Sequence, residues 1–157
     1  MSASGEGLGL CMSTQPFTIS IRVEFGDCDP AGIVFFPNFY RWFDVATHDL
    51  CAAVGYSLHQ VGRRYGWVGY PIAEAGAKFL LPATFDDTLT IETTLREWRR
   101  KVFLVEHRIL RDAELLAEGW QTRFIGIRVK EQGNRLRALE IPAHFRDAVD
   151  QLFLRSQ

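Results

Sequence analysis

The first regular pattern along the chain is a strict alternation of apolar and polar side chains. It covers FTISIRVEF, residues 17–25. Its apolar face consists of Phe17, Ile19, Ile21, Val23 and Phe25. A period of two is typical of a strand that buries one face. The pattern therefore predicts a β-strand over residues 17–25.

A helical spacing follows from Pro37, a residue suited to the first position of a helix. The apolar residues at this spacing are Phe39, Phe43, Ala46, Leu50 and Val54. Gly55 can end the segment, which predicts a helix of about five turns. The next stretch, SLHQVGRRYG, can form a second, brief helix that Gly66 terminates.

The rest of the chain is patterned mainly as a sheet. Predicted strands cover residues 68–81, 88–98, 102–111, 116–130 and 135–141. Pro142 opens a closing amphipathic segment, AHFRDAVDQLFLR. One long helix among many strands predicts an α+β domain whose mostly antiparallel sheet wraps around a central helix. Because such a sheet leaves edges and one face uncovered, we expect a homo-oligomer.

Length and composition predict one domain with a substantial core. The chain has 157 residues, of which 47% are hydrophobic and 13% aromatic. We expect residues 1–16 to form a disordered tail and residues 17–157 a single domain. The formal net charge of −1 gives no general attraction to nucleic acid or anionic membranes. No apolar run reaches the length of a membrane span.

The cysteines predict neither a disulfide framework nor a zinc site. Cys11, Cys28 and Cys51 are odd in number and widely spaced, without a C-x-x-C pair. No metal or redox cofactor is implied, and this cysteine usage fits a reducing cytoplasm.

Two acids, Asp27 and Asp29, lie at the start of an otherwise apolar and aromatic segment, FGDCDPAGIVFFPNFYRWFD. A carboxylate beside apolar surface is costly unless it is hydrogen-bonded, paired or used in chemistry. The side chain of Asp29 could bond local amides in an Asp-Pro turn, or it could serve as a nucleophile or base. For Asp27 the preferred interpretation is structural, as a group that bonds nearby amides.

Four segments, in order, resemble the 4-hydroxybenzoyl-CoA thioesterases of the hotdog fold, in the branch with an active-site aspartate. They are VEFGDCDPAGIVFFPNFYRWFD, YPIAEAGAKFLLPATFDDTLTIET, REWRRK and RLRALEIPAHF, and the match covers about residues 17–146. The resemblance implies a hotdog fold and the hydrolysis of an acyl-CoA thioester. It also implies a dimer, or a dimer of dimers, with active sites between subunits.

The resemblance places the catalytic carboxylate at Asp29 and the motif's glycine at Gly32. It places the donor that polarises the thioester carbonyl at the backbone amide of Phe36. An unpaired N–H at a helix N-terminus suits a developing oxyanion. The sequence leaves open whether Asp29 attacks the acyl carbon or acts as a general base on water, and the resemblance favours direct attack.

The resemblance also predicts that Phe35 and Asp44 shape the acyl pocket. In the resembling enzymes the acid at the position of Asp44 lies near the ring hydroxyl of the substrate. A carboxylate accepts a phenol proton well, although a solvated helix acid or an interface pair are alternatives. At Phe35 and Phe36 the resembling enzymes carry Trp and Tyr, so the pocket here stays aromatic but loses a hydroxyl. Aryl and short aliphatic thioesters therefore all remain candidate substrates.

Arg99, Arg100 and Lys101 match the basic stretch that meets the phosphates of coenzyme A in the resembling enzymes. Guanidinium groups suit phosphate oxygens, although a charged, solvated hairpin rim would look the same. Arg135 and Arg137 are weaker candidates of this kind, supplied by a neighbouring subunit.

Other function classes remain as alternatives. A broader short- or medium-chain thioesterase and a non-catalytic acyl-CoA-binding module both fit the basic cluster, and the module would not need Asp29. A hotdog hydratase relies on an Asp-His pair in a motif that is absent here. Glu74 lacks the helical context of the glutamate-type thioesterases. His48 and His107 lie outside any nucleophile motif.

Overall fold

The computed structural model of the protein describes residues 15–154. The helices and strands are β1 (Phe17–Arg22), α1 (Pro37–Ala53), α2 (Leu58–Tyr65), β2 (Ile72–Phe79), β3 (Thr88–Trp98), β4 (Phe103–Arg111), β5 (Glu114–Arg123), β6 (Ile125–Val129), β7 (Arg135–Leu139) and α3 (Ala143–Leu154). Most of the predicted N-terminal tail, residues 1–14, lies outside the described residues.

Five strands form one antiparallel sheet in the order β1-β3-β4-β5-β2. β6 and β7 form a separate two-stranded ribbon. The ribbon connects to the segment before β2 through a bridge between Gly69 and Gly126. The long helix α1 packs against β1 and β3 of the main sheet. This architecture confirms the predicted α+β hotdog fold, with an antiparallel sheet around one long helix.

A close contact between α1 and β5 fixes the height of the helix above the sheet. A Cβ atom at Gly119 would lie 2.3 Å from the ring of Phe43, so only glycine allows this approach. The Phe43 ring also stacks on His107 of β4, with ring centroids 4.8 Å apart. The next residue of α1, Asp44, contacts Arg123 at the end of β5.

The buried apolar side chains form two clusters along α1. One lies under its N-terminal half and includes Phe39 and Trp42. The other joins its C-terminal end to α2 and α3 and includes Phe103 and Phe145. Within residues 15–154, no helix is long and apolar enough to cross a bilayer.

Several predicted strand boundaries differ from those in the structure. The first strand ends at Arg22, because Glu24 and Asp27 cap each other and start a 3-10 turn at residues 25–27. The strand predicted over 116–130 is two strands, broken at Phe124, whose N–H donates to the carbonyl of Pro71. The strand predicted over 68–81 forms only from Ile72 to Phe79.

Candidate active site

Asp27 holds the loop between β1 and α1 in place. Its Oδ2 accepts the N–H of Glu24 at 2.9 Å, and its Oδ1 pairs with Nη2 of Arg41 on α1 at 2.6 Å. Its backbone oxygen accepts from the N–H of Phe35 and from Nδ2 of Asn38, both at 2.8 Å. The side chain is buried, and it has the structural role that the sequence favoured for it.

Asp29 opens a tight turn. Its carbonyl accepts the N–H of Gly32 at 2.9 Å, and its Oδ1 accepts the N–H of Ala31 at 2.8 Å. Gly32 has a φ of 77°, a conformation that glycine adopts readily. The local hydrogen bond is the one expected of an Asp-Pro turn. However, Oδ2 of Asp29 has no hydrogen-bond partner within residues 15–154, so one carboxylate oxygen of this half-buried side chain stays available.

A free amide precedes the first residue of α1. The N–H groups of Asn38 and Phe39 turn back to the carbonyls of Phe35 and Phe36. Pro37 has no N–H, and the N–H of Phe36 has no acceptor in the part of the chain that the structure describes. The amide of Phe36 is therefore a donor at the positive end of a 17-residue helix.

These two groups lie on one folded-back loop. Cys28 and Val34 pair as an antiparallel bridge, and the N–H of Asp29 donates to the carbonyl of Ile33 at 2.9 Å. The bridge returns the chain beside the Asp29 turn just before Phe36. A carboxylate with a free oxygen and a free amide donor are the two groups that thioester hydrolysis needs.

An apolar cavity of about 630 Å³ lies between this loop and the end of β2. It is lined by Ile33, Val34, Phe36, Phe39, Phe79, Leu80, Leu81 and Pro82. Phe35 does not line it, but its ring contacts that of Phe36 with centroids 5.7 Å apart. Phe35 and Phe36 are 50% and 55% exposed. The surroundings of the loop are therefore aromatic, with Phe35 one ring removed from the cavity.

Asp44 lies on α1, eight residues after Phe36 and about 12 Å further along the helix axis. Its Oδ1 contacts Nη2 of Arg123 at 2.5 Å and Nε2 of His48 at 3.5 Å. The hydrogen bond from His48 and the ion pair with Arg123 outweigh burial and lower the pKa of Asp44 to about 2. Asp44 is therefore ionised, and it lines a smaller cavity of about 320 Å³ together with Tyr70.

No motif in the sequence identifies Arg123, the last residue of β5, as a functional residue. It is 1% exposed although it carries a charge. The available signal was its position, because Ala117, Gly119 and Gln121 precede it on the buried side of the strand. A cation in such a series needs a buried or half-buried counter-ion, and here that ion is Asp44.

The three basic residues of the hairpin between β3 and β4 differ in their ion-pair partners. Arg99 donates to both carboxylate oxygens of Glu97, at 2.9 and 3.0 Å, and this hydrogen bonding raises its pKa. Nη1 of Arg100 lies 3.6 Å from Oε2 of Glu140, within ion-pair distance. Lys101 has no ion-pair partner among the described residues. The three side chains are exposed, so the hairpin has both cationic groups and competing local anions.

Comparison with known proteins identifies the family of the chain. A family model described as the thioesterase-like superfamily matches residues 23–149. The chain belongs to this thioesterase-like superfamily. It is 42% identical, over 83% of its length and 95% of the relative, to the 4-hydroxybenzoyl-CoA thioesterase of Pseudomonas sp. strain CBS-3.

Solved structures of superfamily members share the fold. A mutant 4-hydroxybenzoyl-CoA thioesterase complexed with 4-hydroxybenzoyl-CoA superposes with a TM-score of 0.80 at 38% identity, covering 86% of this chain and 99% of that one. A gentisyl-coenzyme A thioesterase superposes with a TM-score of 0.72 at 32% identity, covering 85% and 98%.

In this thioesterase-like chain the acidic turn and the basic hairpin lie at opposite ends of β3. The N–H of Val23 donates to the carbonyl of Asp87, just before β3, and Ile33 bridges to Thr84. The Asp29 loop is therefore near the start of β3, whereas residues 99–101 follow its end. Eleven extended residues separate the two ends by about 35 Å. Within a single chain the two predicted parts of the site are not adjacent.

The other titratable residues raised by the sequence lie outside the Asp29 loop. Glu74 is exposed on β2, an edge strand, and not on a helix. His107 is buried in the sheet, and burial lowers its pKa to about 4. Arg135 and Arg137 are exposed on β7, which leads to Ile141, whose N–H donates to the carbonyl of Arg100.

Proposed function

We propose that this protein is an acyl-CoA thioesterase that hydrolyses an aryl thioester of the 4-hydroxybenzoyl-CoA kind to the free acid and coenzyme A. The observation that carries the proposal is the folded-back loop that contains both a free carboxylate oxygen, at Asp29, and an unpaired amide, at Phe36. Membership of the superfamily, and a relative that binds 4-hydroxybenzoyl-CoA, support it.

The reaction follows from these two groups. The amide of Phe36 and the helix dipole stabilise the charge that develops on the carbonyl oxygen. In the direct route, Oδ2 of Asp29 bonds to the acyl carbon, the thiolate of coenzyme A leaves, and water hydrolyses the resulting anhydride to regenerate the carboxylate. In the other route Asp29 takes a proton from a water that attacks the acyl carbon. Both routes need only water as co-reactant, so we propose no metal or redox cofactor.

The acyl group would lie among the aromatic residues at the start of α1 and point along the helix towards Asp44. Flat aryl groups pack well against the rings of Phe35 and Phe36. The anionic Asp44 is an acceptor for a ring hydroxyl. Because Phe35 and Phe36 add no polar contact, we propose tolerance for unsubstituted aryl groups, with kcat/KM for benzoyl-CoA within about 100-fold of that for 4-hydroxybenzoyl-CoA.

The distance along β3 between the Asp29 turn and the basic hairpin at residues 99–101 supports a site shared by two subunits. β2 is an uncovered edge strand, and antiparallel pairing with its own copy about Gly76 would set Glu74 opposite Lys78 of the partner subunit. Gly76 of β2 pairs with Trp120 of β5, which pairs with Glu106 of β4, which in turn pairs with Thr94 of β3. Gly76 is therefore level with the middle of β3. A two-fold axis there reverses the strand direction in the partner subunit, so the hairpin of one subunit would lie level with the Asp29 end of the other.

We therefore propose a homo-oligomer, a dimer or a dimer of dimers, in which residues 99–101 bind coenzyme A phosphates at a site between subunits. Cys28 and Cys51 are free thiols. This supports a reducing compartment such as the cytoplasm.

Thiol release from a panel of acyl-CoAs tests the proposed function. We expect 4-hydroxybenzoyl-CoA and benzoyl-CoA to be hydrolysed faster than straight-chain acyl-CoAs of similar size. Faster turnover of medium-chain substrates would support a broad aliphatic thioesterase and refute the aromatic pocket. Binding without thiol release from any substrate would identify an acyl-CoA-binding module.

A further inference from the structure

The buried side chain of Arg123 lies beside Asp44, and each nitrogen of its guanidinium group donates a hydrogen bond. Nε of Arg123 donates to Oε1 of Gln121 at 3.0 Å, Nη1 to the carbonyl of Tyr70 at 2.8 Å, and Nη2 to Asp44 and Gln121. A planar guanidinium with four hydrogen bonds to three residues cannot rotate. The direction of the Nη2–Asp44 bond is therefore set by β5 and by Tyr70.

The polar side chains beside Arg123 leave Asp44 as its anionic partner. Gln121 is neutral, and its Oε1 points to the guanidinium although its own Nε2 is buried without a partner among the described residues. His107 lies 3.3 Å from Gln121, and its lowered pKa keeps it neutral at pH 7. Oγ1 of Thr93 lies 2.9 Å from Nδ1 of His107, at hydrogen-bonding distance. An unpaired charge in this interior is destabilising, so the carboxylate of Asp44 stabilises Arg123 beyond the hydrogen bonds that Gln121 and Tyr70 accept.

The ion pair occupies one oxygen of Asp44 and leaves the other free. Oδ1 contacts both Arg123 and His48, whereas Oδ2 has no hydrogen-bond partner within residues 15–154. The side chain of Asp44 is 44% exposed and lines the cavity that Tyr70 shares. An ionised carboxylate oxygen with a fixed direction accepts hydrogen bonds and donates none.

We propose that Arg123 is a positioning residue for the acyl group: by holding Oδ1 of Asp44 it directs Oδ2 towards the substrate and selects aryl groups that carry a hydrogen-bond donor. Hydroxyl-substituted and amino-substituted rings satisfy this acceptor. Rings that offer only an acceptor, such as methoxy-substituted ones, leave it unpaired. This inference rests on the proposed function, since it assumes that the acyl ring reaches Asp44.

The test measures a preference ratio, defined as kcat/KM for 4-hydroxybenzoyl-CoA divided by kcat/KM for benzoyl-CoA. Asp44→Asn keeps an oxygen for Arg123 and replaces the free acceptor by an NH₂ group. Arg123→Met removes the charge at similar length, and Arg123→Lys keeps the charge but loses the planar fork. Thr93→Val is the matched control, because it perturbs the same buried group of side chains at His107 without touching Asp44.

We expect Asp44→Asn and Arg123→Met each to lower the ratio at least about 10-fold, the usual weight of a hydrogen bond to a charged group. The double variant should lower it no further, because both changes remove the same acceptor geometry. Arg123→Lys should give a partial loss. Thr93→Val should reduce thermal stability and leave the ratio unchanged.

Two failures can be told apart. An unchanged ratio in Asp44→Asn would refute the assigned role of Asp44 in the proposed function, and this inference with it. A lowered ratio in Asp44→Asn with an unchanged ratio in folded Arg123→Met or Arg123→Lys would refute the positioning role alone. If both Arg123 variants failed to fold while Thr93→Val folded, Arg123 would be a stability residue and the inference would be overturned.

Discussion

At the scale of single residues, the two acids of the β1–α1 loop differ in how many carboxylate oxygens remain without a hydrogen-bond partner among the described residues. Asp27 engages both carboxylate oxygens, with Glu24 and Arg41. Asp29 engages one oxygen, with the N–H of Ala31. The loop thus contains a structural and a chemically available carboxylate two positions apart, which makes each the natural control for the other.

Asparagine at position 29 should stop hydrolysis and leave the turn intact. In Asp29→Asn the amide oxygen can still accept the N–H of Ala31, but the side chain is neither a nucleophile nor a base. We expect kcat for 4-hydroxybenzoyl-CoA to fall at least about 100-fold, with an unchanged midpoint of thermal unfolding. Thiol release and circular dichroism measure the two quantities.

Asp27→Asn is the matched control, and it should have the opposite profile. It removes the charge that pairs with Arg41, so the unfolding midpoint should fall, and activity should suffer only as far as the loop loses order. Turnover at the normal rate by Asp29→Asn would contradict the proposed mechanism. A joint loss of rate and stability in that variant would return Asp29 to a purely structural turn.

Local geometry could be predicted where it depends on neighbours in sequence. The turn at Asp29 and the free amide of Phe36 both arise within one short segment, and the sequence already indicated them. Arg123 could not be identified in this way. Its role depends on Asp44, which lies 79 positions earlier, and on a packing arrangement that brings the two together.

At the scale of elements, the hairpin between β3 and β4 should contribute to substrate binding and not to chemistry. It would contact the nucleotide, a part of the substrate that is the same in the ground and transition states. Arg100→Ala should raise KM for acyl-CoA about 10-fold with kcat nearly unchanged. Arg99→Ala should raise it less, because Glu97 already pairs with that guanidinium. Steady-state kinetics on acyl-CoA and on a short thioester without the nucleotide measure this difference.

Arg108→Ala serves as the control for the hairpin variants. Arg108 is an exposed cation on β4 that pairs with Glu92 at 2.9 Å, away from residues 99–101. It should leave KM unchanged for both substrates. If Arg100→Ala raised KM equally for the short thioester, the hairpin would be a structural rim.

Element boundaries followed from the sequence wherever one local pattern dominates. The predicted helix from Pro37 and the strand over 88–98 agree with α1 and β3 because their apolar spacing is regular. The break between β5 and β6 at Phe124 has no such signal. It depends on a hydrogen bond to Pro71, a residue far away in sequence.

At the scale of the whole molecule, stability should fall as the solution becomes acidic, in two stages. Burial lowers the pKa of His107 from 6.5 to about 4. Between these values the unfolded chain binds a proton that the folded chain does not, so stability rises with pH and is complete above 6.5. The loss on going down to pH 4 is at most roughly 3 kcal/mol. Asp44, with its pKa lowered to about 2, adds a second loss between about pH 4 and 2.

Denaturant unfolding measured from pH 7 to pH 4 tests the first stage. In His107→Gln the dependence on pH should flatten across this window, because the titrating group is gone, even if the variant is less stable at pH 7. A slope identical to that of the unaltered protein would assign the acid sensitivity to other groups.

The order of elements along the chain has a consequence for synthesis on the ribosome. The helix α1 is complete at Ala53, but the strands that cover it end only at Arg123, about 70 residues later. At the usual rates of translation this gap lasts roughly 4 to 14 seconds. For that time the apolar stripe formed by Phe39, Phe43 and Leu50 has no sheet to lie on. The nascent chain therefore exposes its most hydrophobic helix first, and it depends on chaperone protection or on fast elongation until β5 has been made.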